Sequence, residues 1–260
     1  MVFSSLGDWL GLLATTALAA QLSGGSYATA NFAIAGVFIA RLLPAVFLGP
    51  IAGVIADRFD RRKLMVTADI FRAALYISIP IVNTYFWLYA AMILVECLTL
   101  FWSPAKEATV PNLVGKERLE SANQVSLLAA YGTAPIAAIL FSLLTLFASA
   151  IESLFPFSIG DSVDIALYVN AASFAFAALT IWGLKEIPKG AAAKKAKDEG
   201  VLKSLHDGWK SVSQTKIVRG LVVGMIGAFF AAGAVIGLAR TFVGDLGGGD
   251  AAYGVLFGAV

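Results

Sequence analysis

The sequence has almost nothing with which to build a metal centre or a crosslink. It holds one cysteine, Cys97, and one histidine, His206. A single thiol closes no intrachain disulfide and leaves the redox compartment unread. Zinc sites draw on clustered Cys and His side chains, which this chain cannot supply. A serine–histidine pairing could be assembled only through His206, which lies in a polar stretch. Charge is scarce as well, at 14% of residues, where soluble domains carry roughly 25%. A soluble fold is thereby disfavoured, and a membrane enzyme finds no nucleophile or metal constellation to work with.

What fills the space is hydrocarbon: 59% of residues are hydrophobic and the mean hydropathy is +0.82. A helical span needs about 20 mostly apolar residues. The pattern predicts an all-α, polytopic membrane protein with spans at 1–22, 28–56, 64–82, 87–103, 123–147, 165–184 and 217–242, and an eighth run from 252 to 260. The first run resembles a signal peptide at Ala17-Leu18-Ala19. No Lys or Arg precedes it, however, and Asp8 lies within it, so it reads as a span. Residues 104–122 read as a polar connector, 148–164 as an acidic loop, and Asn83 as the turn after the third span.

The charges take sides. All but Arg41, Arg72 and Arg240 of the 19 basic residues fall in or beside the segments that follow spans two, four and six. The opposite side holds Glu152, Asp161, Asp164, Asp245 and Asp250, with only Arg240 near them. Basic loops stay in the cytoplasm. The N-terminus is therefore expected there, in a multi-pass protein of the cell (inner or plasma) membrane. The longest polar stretch, 185–216, is expected to link a six-span unit at 1–184 to a second unit beginning at 217–260. Within it Leu202, Leu205, Trp209 and Val212 recur at helical spacing, as in an amphipathic helix lying in the headgroup layer. A stiff connector without membrane contact is the alternative.

The sharpest local signal spans residues 49–63, where an apolar run ends in Asp57, Arg58, Asp60, Arg61, Arg62 and Lys63. Gly49 and Gly53 share one helix face and leave it bare, which lets another backbone come close. This stretch resembles the loop signature between helices two and three of the major facilitator superfamily, Gly-x-x-x-Asp-Arg-x-Gly-Arg-Arg/Lys. Gly53, Asp57, Arg58, Arg61 and Arg62 stand at the matching places, and Asp60 replaces the second glycine. Further runs are similar to the drug- and siderophore-exporter branch, which includes enterobactin exporters and macrolide efflux proteins. They are Ser5-Leu6-Gly7-Asp8-Trp9-Leu10, Arg41-Leu42-Leu43-Pro44, Phe101-Trp102-Ser103-Pro104 and the turn at Gly247-Gly248-Gly249. Two features depart from that branch. Helix four offers Glu96 where a drug-exporter pattern has Arg. The antiporter pattern Gly-Pro-x-x-Gly-Gly keeps Pro135 but none of its glycines.

The resemblance implies a fold of two six-helix halves, with residues 1–184 as the N-terminal half and 217–260 as the start of the second. It implies a prokaryotic secondary transporter that exports an amphipathic small molecule, drug- or siderophore-like, by alternating access and proton antiport. Its partners would be the substrate, protons, the lipid bilayer and the missing C-terminal helices of the same protein. No cofactor, metal or nucleic acid enters this reading. The alternative is a non-transporting membrane adaptor or an inactive fragment. In the loop, the resemblance assigns Asp57 and Arg61 to closing the cytoplasmic side, with Arg58, Arg62 and Lys63 as topology anchors.

Five ionisable residues fall inside the spans: Asp8, Arg41, Asp69, Arg72 and Glu96. Each costs roughly 2.5–3.5 kcal/mol on insertion scales, so each calls for a partner or a cavity. Asp69 and Arg72 are three residues apart and can form a structural ion pair. Asp8 and Glu96 are candidates for proton coupling or for a cationic substrate. They are equally open to being held by Arg72 or a backbone group. Arg41 lies ~24 Å along its helix from Asp57 and is expected to stand alone in the outer half, on an anion or a carbonyl.

Overall fold

Residues 10–19 of the first helix are all buried, and the other helices are arranged around them. A helix enclosed on every side must be apolar all round and narrow. This one is, with Leu10, Leu12, Leu13 and Leu18 set among Gly11, Ala14, Ala17 and Ala19. Its two polar members, Thr15 and Thr16, turn their hydroxyls back onto the carbonyls of Gly11 (2.6 Å) and Leu12 (2.9 Å).

The structure is a computed structural model that describes residues 2–24, 27–56, 59–154, 162–184 and 213–259. The helices are α1 (Val2–Leu22), α2 (Tyr27–Ala56), α3 (Arg61–Val82), α4 (Tyr85–Val114) and α5 (Leu119–Tyr131). They continue as α6 (Ala134–Leu154), α7 (Ser162–Gly183), α8 (Lys216–Asp245) and α9 (Asp250–Ala259). A short 3-10 turn, Lys116–Arg118, joins α4 to α5. No strand occurs among the described residues. Six segments among them are long and apolar enough to cross a membrane, α5 and α6 together forming one of these, Leu119–Ala148. The chain is an all-α polytopic membrane protein. α3 packs on α7 and α4, α2 on α4, and α1 on α7, α2 and α6; α9 lies along α6.

Three expectations need correction, the first being that 148–164 is a loop: α6 continues to Leu154. Residues 104–122 are not a polar connector: α4 continues through Pro104 and Pro111 to Val114, and α5 begins at Leu119. An internal proline removes one backbone hydrogen bond, and in a bundle neighbouring groups can make good the loss. The carbonyls freed here are those of Leu100 and Glu107. Close to them the Thr109 hydroxyl donates to Ala105 O at 2.7 Å and Arg61 Nη1 of α3 donates to Ala108 O at 3.0 Å, the second bond tying α4 to α3. The fifth span is also not one straight helix. It breaks at Gly132–Thr133, just before Pro135, whose ring nitrogen has no hydrogen to offer the preceding turn. Trp9 of α1 caps the break from outside, its Nε1 donating to Ala130 O at 2.7 Å.

Local signals set several of the ends. Asn83 closes α3 in the left-handed conformation (φ 46°, ψ 49°), and its N–H donates to Ile79 O. Thr84 then caps α4 through the Trp87 N–H. Asp60 caps α3, accepting from Lys63 N at 3.1 Å. The expected amphipathic helix around Leu202, Leu205, Trp209 and Val212 lies outside the described residues, as does most of the 185–216 stretch.

Candidate functional site

Asp69, Arg72 and Tyr76 recur at helical spacing on α3 and are all buried. Asp69 Oδ1 meets Arg72 Nη1 at 3.2 Å, with both side chains essentially inaccessible. Asp69 Oδ2 accepts a second bond from Trp102 Nε1 of α4 at 3.2 Å. The guanidinium of Arg72 lies 5.2 Å from the ring centroid of Trp102 and 5.2 Å from that of Phe174 on α7. Phe174 in turn stacks on Tyr76, at 5.6 Å and 10°. The buried cation therefore has one carboxylate and two aromatic faces, which are attractive through their quadrupoles. Nothing in the sequence pattern pointed to Trp102 as the partner of Asp69. Its place in a helix-four run was visible, its target was not.

α1 meets this stack edge-on, because it carries no side chain there. A Cβ on Gly7 would fall 2.0 Å from Ser173 Oγ, and one on Gly11 would fall 2.3 Å from Asn170 Nδ2 and 2.9 Å from Tyr76 Oη. Tyr76 and Asn170 approach one another without reaching hydrogen-bond geometry, and the hydroxyl and the amide nitrogen stay unpaired among the described residues. Asp8 follows Gly7 directly on α1 and is half-buried, and Arg72 of α3 acts on it electrostatically.

Asp8, Arg41 and Glu96 are half-buried, on α1, α2 and α4. Among the described residues none of them forms an ion pair. They are nonetheless within electrostatic reach of one another. Asp8 feels Arg72 most, then Arg41 and Lys106. Glu96 feels Arg41 most, then Asp8 and Arg72. Arg41 also acts on Tyr76, and its Nη1 is buried without a hydrogen-bond partner. Arg41 thus shares one electrostatic neighbourhood with Asp8 and Glu96, although its distance along α2 suggested isolation. Distance along one helix says nothing about what faces it from α1 and α4.

The loop residues divide. Asp57 and Arg58 lie outside the described residues, and of Gly53 only the helical backbone is described. Gly49 has no atom within 4 Å of a built Cβ, and the close approach on α2 occurs at Gly36, which the Tyr89 ring covers at 2.8 Å. Arg61 reaches α4, as described above, and Arg62 lies 5.8 Å over the Trp182 ring of α7.

Pro135 sits where α6 meets α9. A Cβ on Gly254 would fall 2.1 Å from Ser142 Oγ and 2.8 Å from Ala138 O, and one on Gly258 would fall 3.2 Å from Ala138 Cβ. α6 carries Ala134 and Ala138 at two of the glycine positions of the antiporter pattern, and the glycines at this helix contact are on the facing α9. A cavity of about 590 Å³, lined by Trp9, Tyr131, Pro135, Phe242 and Phe257 among others, opens beside the break. At the end of the bundle opposite the basic loops, Arg240 of α8 forms an ion pair with Asp250 of α9. Gln21 of α1 donates to Asp250 at 3.4 Å, and Thr241 donates to Asn31 of α2 at 2.8 Å. Among the described residues no group of His, Cys, Asp and Glu could hold a metal ion.

The transmembrane secretion effector family matches the chain over residues 1–260. An uncharacterized MFS-type transporter of Bacillus subtilis (strain 168), YfiS, is 29% identical over 193 residues, covering 74% of this chain and 42% of that protein. A second from the same organism, YkuC, is 28% identical over 198 residues, covering 70% of this chain and 41% of that protein. Macrolide efflux protein A of Enterococcus faecalis is 37% identical over 82 residues, covering 30% of this chain and 25% of that protein. The chain thus spans about two-fifths or less of the length of these relatives. No solved structure matches it.

Proposed function

We propose that this chain, which belongs to the transmembrane secretion effector family of the major facilitator superfamily, works as part of a secondary transporter that exports an amphipathic small molecule in exchange for protons. One observation carries the reading. Asp8, Arg41 and Glu96 are held inside apolar spans, within electrostatic reach of one another and without ion-pair partners among the described residues. Such charges are costly in a bilayer and mark substrate or proton pathways. A carboxylate that takes a proton at one face and yields it at the other couples the two fluxes, provided Arg41 and Arg72 bias which state is charged. The neighbourhood is reached from α1, α2 and α4, which allows helix movements to change who faces whom.

In this reading the basic end of the bundle faces the cytoplasm and residues 1–184 form one half of the transporter, with α8 and α9 beginning the other. Asp57 and Arg61 serve the cytoplasmic gate, with Arg58, Arg62 and Lys63 anchoring the loop. Arg61 does so by bracing the start of α3 on α4. The Arg240–Asp250 pair, the Gln21 bond to Asp250 and the neighbouring Thr241–Asn31 bond tie α8 and α9 to α1 and α2 and close the opposite end. The similarity to macrolide efflux protein A supports a drug-like amphiphile as cargo.

The test uses everted vesicles carrying the full-length protein and a macrolide as probe. A proton gradient should drive macrolide uptake, and the substrate should dissipate the gradient. Asp8→Asn and Glu96→Gln should each cut gradient-driven uptake at least tenfold while leaving macrolide exchange at equal pH within about twofold, because one proton site or the other is lost. Gradient-driven uptake that survives both changes would reject the coupling role.

A further inference from the structure

We propose that the basic end of the bundle carries a site for an anionic phospholipid, with its acyl chain between helices and its phosphate between Lys106 and Arg118. The site is a cavity of about 720 Å³ that separates the α4–α5 hairpin from α1, α3 and α7. It has the size of a small-molecule pocket and is wide enough to admit a chain rather than only a headgroup.

Its walls divide by chemistry. Phe3 on α1, Met65 on α3, Val110 and Leu113 on α4, Val125 on α5 and Phe176 on α7 make the interior apolar. The cations on the lining are Lys106 and Arg118. Lys106 Nζ lies 5.8 Å over the ring of Trp102, which fixes it at the wall instead of leaving it free in solvent. The acidic residues nearby, Glu107, Glu117 and Glu120, are exposed and do not line the cavity. Arg62 sits over Trp182 of α7, the residue after Ile181 of the lining. Paired tryptophans and cations of this kind mark the depth of the headgroups. A polar ligand from solution has little to bind inside such a cavity. An amphiphile satisfies both regions at once: apolar surface covers the chain, and two cations meet one phosphate. Basic pockets between spans on the side of the anionic leaflet are suited to lipid headgroups.

Occupancy would be felt further in. Trp102 lines the cavity and also donates to Asp69, the partner of Arg72. Lys106 acts on Asp8 electrostatically. A phosphate on Lys106 would weaken its pull on Asp8 and leave Arg72 and Arg41 to govern that carboxylate. The lipid site stands on cavity shape and charge, and does not depend on transport or its coupling ion.

Native mass spectrometry of the purified full-length protein would test the site, with phosphatidylglycerol and phosphatidylcholine of identical acyl chains as probes. Phosphatidylglycerol should bind the more tightly of the two. A cation at the headgroup is worth about a fivefold change in affinity. The double change Lys106→Gln with Arg118→Gln should therefore weaken phosphatidylglycerol by roughly 30-fold and phosphatidylcholine, whose phosphate is offset by its choline cation, much less. Lys63→Gln removes an exposed cation that does not line the cavity, and should leave both lipids within about twofold. Filling the cavity by Ala122→Trp should reduce both lipids, and Thr180→Phe does the same from α7 should the first variant fold poorly. Equal binding of the two lipids to the unaltered protein would overturn the proposal. So would an equal loss in Lys63→Gln and the double variant, or full phosphatidylglycerol binding by a folded, cavity-filled protein.

Discussion

Two sets of charges share the interior of this bundle and are treated in opposite ways. Asp69 and Arg72 are sealed from solvent, bonded to each other, and enclosed by Trp102 and Phe174. Asp8, Arg41 and Glu96 are half-buried, and none has an ion-pair partner among the described residues. A buried pair that is well bonded is stable as a unit but costly to break. Charges left without a fixed partner can change partners and protonation states cheaply, which is what a moving site requires. The first set joins α3, α4 and α7 by direct bonds and ring contacts; in the function proposed above, the second works between α1, α2 and α4.

The largest effect should come from breaking the sealed pair. Arg72→Met removes the cation and leaves the Asp69 carboxylate buried with only the Trp102 N–H. Loss of one partner of a buried pair costs about 3–5 kcal/mol. The expected outcome is a sharp fall in folded yield and in the thermal midpoint of the protein in detergent. Glu96→Gln, in the unpaired set, should leave that midpoint within a degree or two, since little fixed bonding is lost. Should Glu96→Gln melt as low as Arg72→Met, both sets are structural and the comparison collapses.

The boundary between the sets runs along Gly7 and Gly11. Gly11→Ala would place a methyl 2.3 Å from Asn170 Nδ2 and 2.9 Å from Tyr76 Oη. Asn170 and Tyr76 are both fully buried, so neither side chain has solvent to move into. Overpacking of this kind costs about 1–3 kcal/mol. The readout that sharpens the comparison is transport as well as stability. If α1 must sit close for Arg72 to act on Asp8, Gly11→Ala should lower gradient-driven uptake by more than its change in folded yield. Full uptake per folded molecule would mean that the contact is packing alone.

How much of this was legible in the sequence depends on range. The spans, the uneven spread of positive charge and the Asp69–Arg72 spacing are local features, readable from composition and the helical period. Asn83 announced its turn because asparagine tolerates the left-handed region better than most residues. Features that need two helices at once were not readable. Trp102 reaching Asp69, Trp9 reaching the broken turn at Ala130, and Arg41 sharing a neighbourhood with Glu96 each join residues from different helices. The helical course of 104–114 was missed because two prolines and a run of polar residues look like a connector. Within a bundle a helix runs on through its prolines, and Arg61 of α3 ties this segment in by donating to Ala108 O. The close contact beside Pro135 was not readable either, because its glycines, Gly254 and Gly258, lie on the facing helix.

The smallest effect concerns a charge that belongs to neither set. Asp60 stands where the superfamily loop pattern has glycine, and its carboxylate caps α3 by accepting from Lys63 N at 3.1 Å. A cap needs an acceptor oxygen rather than a full charge. Asp60→Asn should therefore shift the thermal midpoint hardly at all, despite adding a unit of positive charge to an already basic loop. Asp60→Ala removes the oxygen and should cost about 1 kcal/mol, while Asp60→Gly, which restores the superfamily pattern, should cost only a few tenths of that. The ranking Asn, Gly, Ala separates capping from electrostatics. A charge role would make Asn and Ala equally harmful, because both remove the same negative charge. Thermal melts of the three variants at two salt concentrations decide the matter. A loss common to Asn and Ala that salt diminishes would point to screening among Arg61, Arg62 and Lys63. A loss confined mainly to Ala and insensitive to salt would mean that Asp60 serves the end of α3 and that its charge is incidental.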